Sequence, residues 1–213
     1  MVCAADIAWI HVDERLVVID KPAGLLAVPG RGPDKADCAA LRVLRRCVDA
    51  RVVHRLDMAT SGLMVLARGL AMQRELGRRF ETRQVRKTYV AVVAGLPMVD
   101  CGEIDLPLAA DWPARPRQQV DRLHGRPALT RWRVLARDAA RDCARLELEP
   151  QTGRTHQLRV HLAAIGHPIL GDSLYAPPSA RTAVPRLLLH ASRLDLGPVD
   201  DALRTVFDST PAF

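Results

Sequence analysis

The apolar positions of this chain fall mostly in short, β-branched runs bounded by turn residues, and only a few stretches show the wider spacing of a helix. Leu16-Val17-Val18-Ile19-Asp20 is such a run, stopped by Lys21-Pro22-Ala23-Gly24, and predicts a buried strand entering a turn. Residues 29–38, rich in Gly, Pro and charge, predict a mobile loop. Residues 41–48 have apolar spacing suited to a helix, followed by the strand-like Val52-Val53. Leu63-Met64-Val65-Leu66-Ala67 predicts another strand, and Met72, Leu76 and Phe80 at i, i+4 and i+8 predict one helix face packed on a core.

Residues 87–94 alternate, which puts Lys87, Tyr89, Ala91 and Val93 on one face of a strand. Further strands are expected at 131–135, 145–149 and 187–196. Residues 155–165 predict a helix with Thr155 as N-cap, Leu158, Leu162 and Ile165 on its buried side, and Gly166 past its end. Many strands, few helices, no internal repeat and no linker predict one α+β domain over residues 1–213.

Composition narrows the class. A chain of 213 residues with 48% hydrophobic and 26% charged residues can bury a core, so disorder is not required. The net charge of +7 suits a polyanionic partner, nucleic acid first among them. Only three of the 31 basic residues are lysine, however, a bias that a GC-rich genome also produces, so charge alone does not decide. Five scattered cysteines without a Cys-x-x-Cys pair predict a reducing, cytoplasmic setting. No run of 18 apolar residues or leader-like start supports export or membrane insertion.

Four clusters could carry chemistry. The densest is His54-Arg55-Leu56-Asp57-Met58-Ala59-Thr60-Ser61-Gly62, a polar stretch between two expected strands, in which Asp57 is either a functional carboxylate or the cap of a turn. In Gln151-Thr152-Gly153-Arg154-Thr155-His156-Gln157-Leu158-Arg159-Val160-His161, Arg154 lies near a helix start that favours anions, though a solvated basic face reads equally well. Lys87-Thr88-Tyr89 projects a cation and an aromatic ring from one strand face, a geometry usable for base stacking. Gly166-His167-Pro168-Ile169-Leu170-Gly171-Asp172 reads as a structural turn. His156 and His161 are not at the i, i+4 spacing of a zinc helix, and Gly-x-Ser-x-Gly, Gly-x-Gly-x-x-Gly and Walker patterns are absent, so neither metal nor cofactor is expected.

Taken in this order, the segments resemble the RluA family of RNA pseudouridine synthases over most of the chain. The matching pieces are Lys21-Pro22-Ala23-Gly24, the His54 to Gly62 run, Lys87-Thr88-Tyr89, the run from Gly153 to His161, His167 to Asp172, and Leu187-Leu188-Leu189-His190-Ala191. Asp111-Trp112-Pro113 with Arg115-Pro116 brings it nearest the short, dual-specificity members. The likeness thins after Leu196, where Gly197-Pro198-Val199-Asp200-Asp201 lacks a His-Pro turn.

The resemblance implies a mixed, mostly antiparallel sheet flanked by helices, with an active-site cleft across it and no S4-like domain ahead of residue 16. It implies uridine isomerisation in structured RNA, a 23S ribosomal stem-loop, a transfer RNA anticodon stem-loop or both. A monomer is the default expectation, since no residue pattern speaks to the oligomeric state. Asp57 matches the catalytic aspartate, Tyr89 the active-site tyrosine, Arg159 the arginine that pairs with the aspartate, and Arg55 a residue that displaces the target base. His54, Lys87, Arg154 and His156 are the remaining expected RNA contacts. Attack at C1′, a glycal-like route and addition at uracil C6 all stay open. A catalytically silent RNA-binding module and a hydrolytic glycosylase are the competing functions.

Overall fold

In a computed structural model of the protein, residues 6–32, 35–199 and 205–213 are described. Cys3, Pro33 and Asp34 of the expected loop, and Asp200-Asp201 of the divergent C-terminal stretch lie outside them. Along the chain run β1 (Ala8–Val12), β2 (Leu16–Lys21), α1 (Ala39–Leu44), β3 (Ala50–Val52), β4 (Ser61–Arg68), α2 (Gly69–Glu81), β5 (Arg86–Ala94) and β6 (Cys101–Asp105). There follow β7 (Leu108–Ala110), β8 (Gln118–Val120), β9 (Leu129–Asp138), β10 (Cys143–Pro150), α3 (Gln157–Ala164), α4 (Pro178–Thr182), β11 (Leu189–Asp195) and β12 (Val206–Asp208). The fold class is α+β with mixed, mostly antiparallel strand pairing, as expected. The chain forms two compact units, Met1–Lys87 with His190–Ala212, and Thr88–Leu189 with Phe213.

In the first unit, β2 and β4 are buried along nearly their whole length, which is why both read as unbroken apolar runs rather than alternating ones. They pair antiparallel from Leu16 opposite Ala67 to Lys21 opposite Gly62, with β1 on the far side of β2 and β3 against β4. β11 joins β4 in parallel through His190 opposite Ser61 and Ala191 opposite Gly62, and β12 pairs with β11. Met72 and Leu76 of α2 pack with Leu16, Val18, Leu63, Val65, Leu194 and Phe207, and Phe80 lies against the same core. Each large aliphatic side chain buried there contributes roughly 1.5–3 kcal/mol.

In the second unit, β10 pairs antiparallel with both β5 and β9, and β6 with β9, while β7 and β8 form a separate hairpin. Leu108, Ala128 and Val160 make a small core beneath that hairpin, with Val120 and Tyr175 against it.

Several local expectations need correction. The first helix is Ala39–Leu44 rather than 41–48, because the Cys38 thiol accepts the Leu41 N–H at 3.4 Å and caps it early, leaving Val48 85% exposed. Cys38 itself is fully buried, so the end of the expected 29–38 loop is part of the core. Thr155 is not an N-cap: α3 begins at Gln157 behind His156, which has φ 54°. Ser61 and Gly62, expected in a turn, already belong to β4.

Candidate active site

Asp57 stands between β3 and β4 in a stretch with no regular structure, held from both sides. Leu56 is buried, Asp57 half-buried and Arg55 exposed, so one apolar anchor fixes the side chains flanking it. Behind it the Thr60 N–H donates to the Asp57 carbonyl at 3.1 Å, closing a turn around Met58-Ala59. The Met58 carbonyl accepts two bonds, one from the Gly24 N–H at 2.8 Å and one from Lys21 Nζ at 3.2 Å. Gly24 has φ 87°, a conformation glycine adopts without steric cost.

Lys21 is fully buried and also donates to the carbonyls of Pro22 and Leu25, both at 2.8 Å. Its turn, read from sequence as a polar stop, is therefore a clasp between Lys21-Pro22-Ala23-Gly24 and the Asp57 turn. Burial pushes the lysine's pKa down to about 8, while the charges of Asp57 and Asp20 oppose the shift. The carboxylate of Asp57 accordingly lies in the field of a cation supplied by its own unit.

His54 is not a cation. Its ring stacks on Phe80 at 4.6 Å, and its Nε2 accepts the Val65 N–H at 3.0 Å, which leaves the proton on Nδ1. Burial, with the nearby Lys87 charge behind it, pushes its pKa down to about 3. Lys87 is half-buried, and burial lowers its own pKa. Of the expected site residues, the first unit thus holds His54, Arg55, Asp57 and Lys87.

The second unit holds Tyr89, Arg154, His156 and Arg159. Tyr89 is half-buried on β5 opposite Leu148. Arg159 is 4% exposed and forks onto the fully buried Asp172, with Nε to Oδ2 at 2.8 Å and a terminal nitrogen to Oδ1 at 2.7 Å. Asp172 Oδ1 also accepts the N–H groups of Leu174 and Tyr175 at 2.9 and 3.2 Å. The Asp172 turn is therefore the mount of Arg159 as well as a turn. The guanidinium lies 5.1 Å from the Tyr175 ring centre.

Tyr175 also connects His156 and the β7–β8 hairpin: its hydroxyl accepts the Gln118 N–H at 2.8 Å and is hydrogen-bonded to His156 Nδ1 at 2.7 Å. Burial raises the phenol's pKa. Arg154 is held from behind, with Nε on the Pro127 carbonyl at 3.1 Å and its N–H on Gln157 Oε1 at 3.0 Å. Gln157 Oε1 also accepts the Thr152 hydroxyl, and its amide nitrogen donates to the Leu129 carbonyl and Thr130, riveting this turn to β9. His161 is fully buried between Thr130 and the Leu106 carbonyl, and burial lowers its pKa.

The hairpin presents Trp112, 67% exposed, with the Arg115 guanidinium 3.2 Å from its ring centre. Arg117, Arg122 and Arg126 are exposed on the same segment. Lys21, Asp172, Tyr175 and His190 are the residues that sequence reasoning left without a functional role. Lys21, Asp172 and His190 lay inside quoted motifs, while the isolated Tyr175 carried no signal. Among the described residues no group of three His, Cys, Asp or Glu side chains could hold a metal ion, and no helix is long and apolar enough to cross a membrane.

Comparison with known proteins gives a consistent answer. A family model described as RNA pseudouridylate synthase matches residues 15–164. The dual-specificity RNA pseudouridine synthase RluA of Escherichia coli K12 is 50% identical over 187 residues, covering 88% of this chain and 85% of the relative. Its Yersinia pestis counterpart is 49% identical over 185 residues, 87% and 89% of the two chains. Among solved structures, human RNA pseudouridylate synthase domain containing 1 aligns over 96% of this chain and 83% of its own, with a TM-score of 0.80 and 28% identity. Human RNA pseudouridylate synthase domain containing 4 aligns over 88% and 83%, with a TM-score of 0.69 and 30% identity.

Proposed function

Because the chain belongs to the RNA pseudouridine synthases and isomerises uridine to pseudouridine in RNA, we propose that Asp57 is the carboxylate that carries the reaction, with Tyr89 and Arg159 as its partners. The isomerisation breaks the N1–C1′ bond, turns the uracil and joins C5 to C1′. The C5 proton leaves to solvent, N1 gains one, and no redox partner or energy source is needed. A carboxylate attacking C1′, as in retaining glycosidases, fits that balance.

The observation that carries this reading is the clasp on the Asp57 turn. Two donors on the Met58 carbonyl hold it, and the buried Lys21 places a positive charge within electrostatic reach of the carboxylate. Arg159, aligned by Asp172, supplies a second preorganised cation. Tyr89 supports the extruded base, and the exposed Arg55 fills the gap left in the stack. Lys87, Arg154 and His156 hold the flanking phosphates, and His54 contributes as a neutral hydrogen-bonding ring.

Trp112 with Arg115 offers a stacking platform beside further arginines, which suits an unpaired loop base. The substrates we assign are stem-loops, one in 23S ribosomal RNA and one at the transfer RNA anticodon, recognised by local loop shape. The protein acts as one catalytic domain and a monomer, in the cytoplasm, where its scattered cysteines stay reduced; the four described ones are free thiols. Light scattering at assay concentration tests the monomer.

The central test uses stem-loop RNA carrying tritium at uridine C5. Asp57→Asn and Asp57→Ala abolish tritium release while RNA binding persists, and turnover in either variant refutes the assignment. Mapping which pseudouridines vanish from ribosomal and transfer RNA on gene deletion identifies the substrates.

A further inference from the structure

The motif Leu187-Leu188-Leu189-His190-Ala191 is the one whose polar member the proposed chemistry does not use. His190 is 4% exposed, and both of its nitrogens are occupied. Nδ1 lies 2.9 Å from the hydroxyl of Ser61, itself 6% exposed, and Nε2 lies 3.0 Å from the hydroxyl of Ser209. The Ser209 hydroxyl in turn donates to Asp20 Oδ2.

These contacts fix which His190 nitrogen donates to Ser209. A carboxylate only accepts, so the Ser209 hydrogen points to Asp20, and its oxygen must accept from His190 Nε2–H. In the neutral tautomer that carries this proton, Nδ1 is an acceptor and receives the Ser61 hydroxyl. Asp20 Oδ2 is 3.9 Å from Nε2, so Ser209 is the link between them.

Ser61 is the residue at which the Asp57 turn becomes β4. One clamp on that turn, from Lys21 and Gly24, acts at Met58, before Ser61. The second acts at Ser61 itself, where the backbone pairs with His190, and a Cβ on Gly62 would sit only 2.4–2.8 Å from Ala191 backbone atoms. Lys21 and Asp20 are adjacent in β2, so one strand supplies the anchors of both clamps.

We propose that Asp20, Ser209, His190 and Ser61 form a directional hydrogen-bond relay that positions the Asp57 turn, making Ser209, in the segment after β12, a positioning residue for the isomerisation. This inference rests on the assignment of Asp57 above. Ser209 is half-buried and held at its backbone by a 2.8 Å bond from its N–H to the Ser192 carbonyl, so loss of its hydroxyl leaves the strand pairing in place. Ser61 would then face a histidine free to change tautomer or rotate, and the turn behind Asp57 would lose its fixed exit.

The test compares the full-length wild type with Ser209→Ala, Ser209→Thr and, separately, Asp57→Asn, measuring kcat and KM on the tritiated stem-loop RNA. Ser209→Ala lowers kcat about tenfold with KM within twofold of wild type, and Ser209→Thr, which keeps the hydroxyl, restores it. Unchanged kcat in Ser209→Ala, an effect confined to KM, or failure of Ser209→Thr to restore turnover overturns the relay. Residual turnover in Asp57→Asn instead refutes the assignment beneath it. Nitrogen NMR of wild-type His190 gives a variant-free check: a neutral ring protonated at Nε2 is expected, and a proton on Nδ1 refutes the relay.

Discussion

Replacing Lys21 by methionine separates stability from catalysis, and the two respond to pH in opposite directions. The lysine's pKa falls from 10.5 to about 8 in the folded protein. At about 1.4 kcal/mol per unit, holding the buried charge at neutral pH costs roughly 3 kcal/mol. Lys21→Met leaves the carbonyls of Pro22, Leu25 and Met58 without this donor, so it loses a few kcal/mol at pH 7. Below pH 8 both folded and unfolded chains carry the proton. Between 8 and 10.5 the unfolded chain binds a proton that the folded one has released, so this lysine's contribution to stability rises with pH.

From pH 8 to 9.5 that rise amounts to about 2 kcal/mol for wild type relative to Lys21→Met, other titrating groups cancelling in the difference. Over the same interval kcat of the wild type falls, because the cation beside Asp57 and one donor on the Met58 turn are lost. Urea denaturation of both proteins at half-unit pH steps, with tritium release measured in parallel, provides the data. Denaturation midpoints that move in parallel for the two proteins would show that Lys21 titrates as an ordinary lysine and that its burial does not weaken its hold on the proton.

Asp172→Ala strands the buried Arg159 guanidinium and costs roughly 3–5 kcal/mol in urea denaturation; a loss under about 1 kcal/mol would mean that water or another group takes over the pairing. Gly62→Ala drives a Cβ into the Ala191 backbone at φ 114°, lowering stability by roughly 2–5 kcal/mol in a thermal melt, and an unchanged melt would disprove the close approach. Trp112→Ala leaves stability within about 0.5 kcal/mol but weakens stem-loop RNA affinity roughly 5- to 100-fold, a change readable by fluorescence anisotropy; equal affinity removes the hairpin from the RNA interface. Wild-type affinity falls steeply between 50 and 200 mM salt, whereas a flat response assigns the arginine excess to codon usage.

The buried strands were legible because β2 and β4 are apolar on both faces, and α2 because Met72, Leu76 and Phe80 keep one stripe. The helix starts were harder. Cysteine is an unusual cap, and at α3 the Gln157 side chain, not Thr155, organises the turn. The β7–β8 hairpin escaped notice because its strands are three residues long and mostly half-buried, too short for an alternation to be read. At the site, residue types were visible and their environments were not. Lysine is almost never fully buried, so nothing in the Lys21-Pro22 pair announced an ammonium at 0% exposure. His54, beside Arg55 and Asp57, invited a charged reading, yet the stacking and the accepted backbone bond that neutralise it come from α2 and β4. The Arg159–Asp172 fork likewise depends on tertiary structure, joining two motifs that each read separately.

The parallel pairing of Ser61 with His190 spans 129 residues of chain. During synthesis on the ribosome, β2, β4 and α2 emerge early, but the strand that secures the exit of the Asp57 turn follows more than a hundred residues later. Closing so long an intervening segment is entropically costly and slow. A nascent chain stopped before residue 189 could therefore form much of its core without a finished catalytic turn, and activity would appear only once β11 and Ser209 have left the exit tunnel.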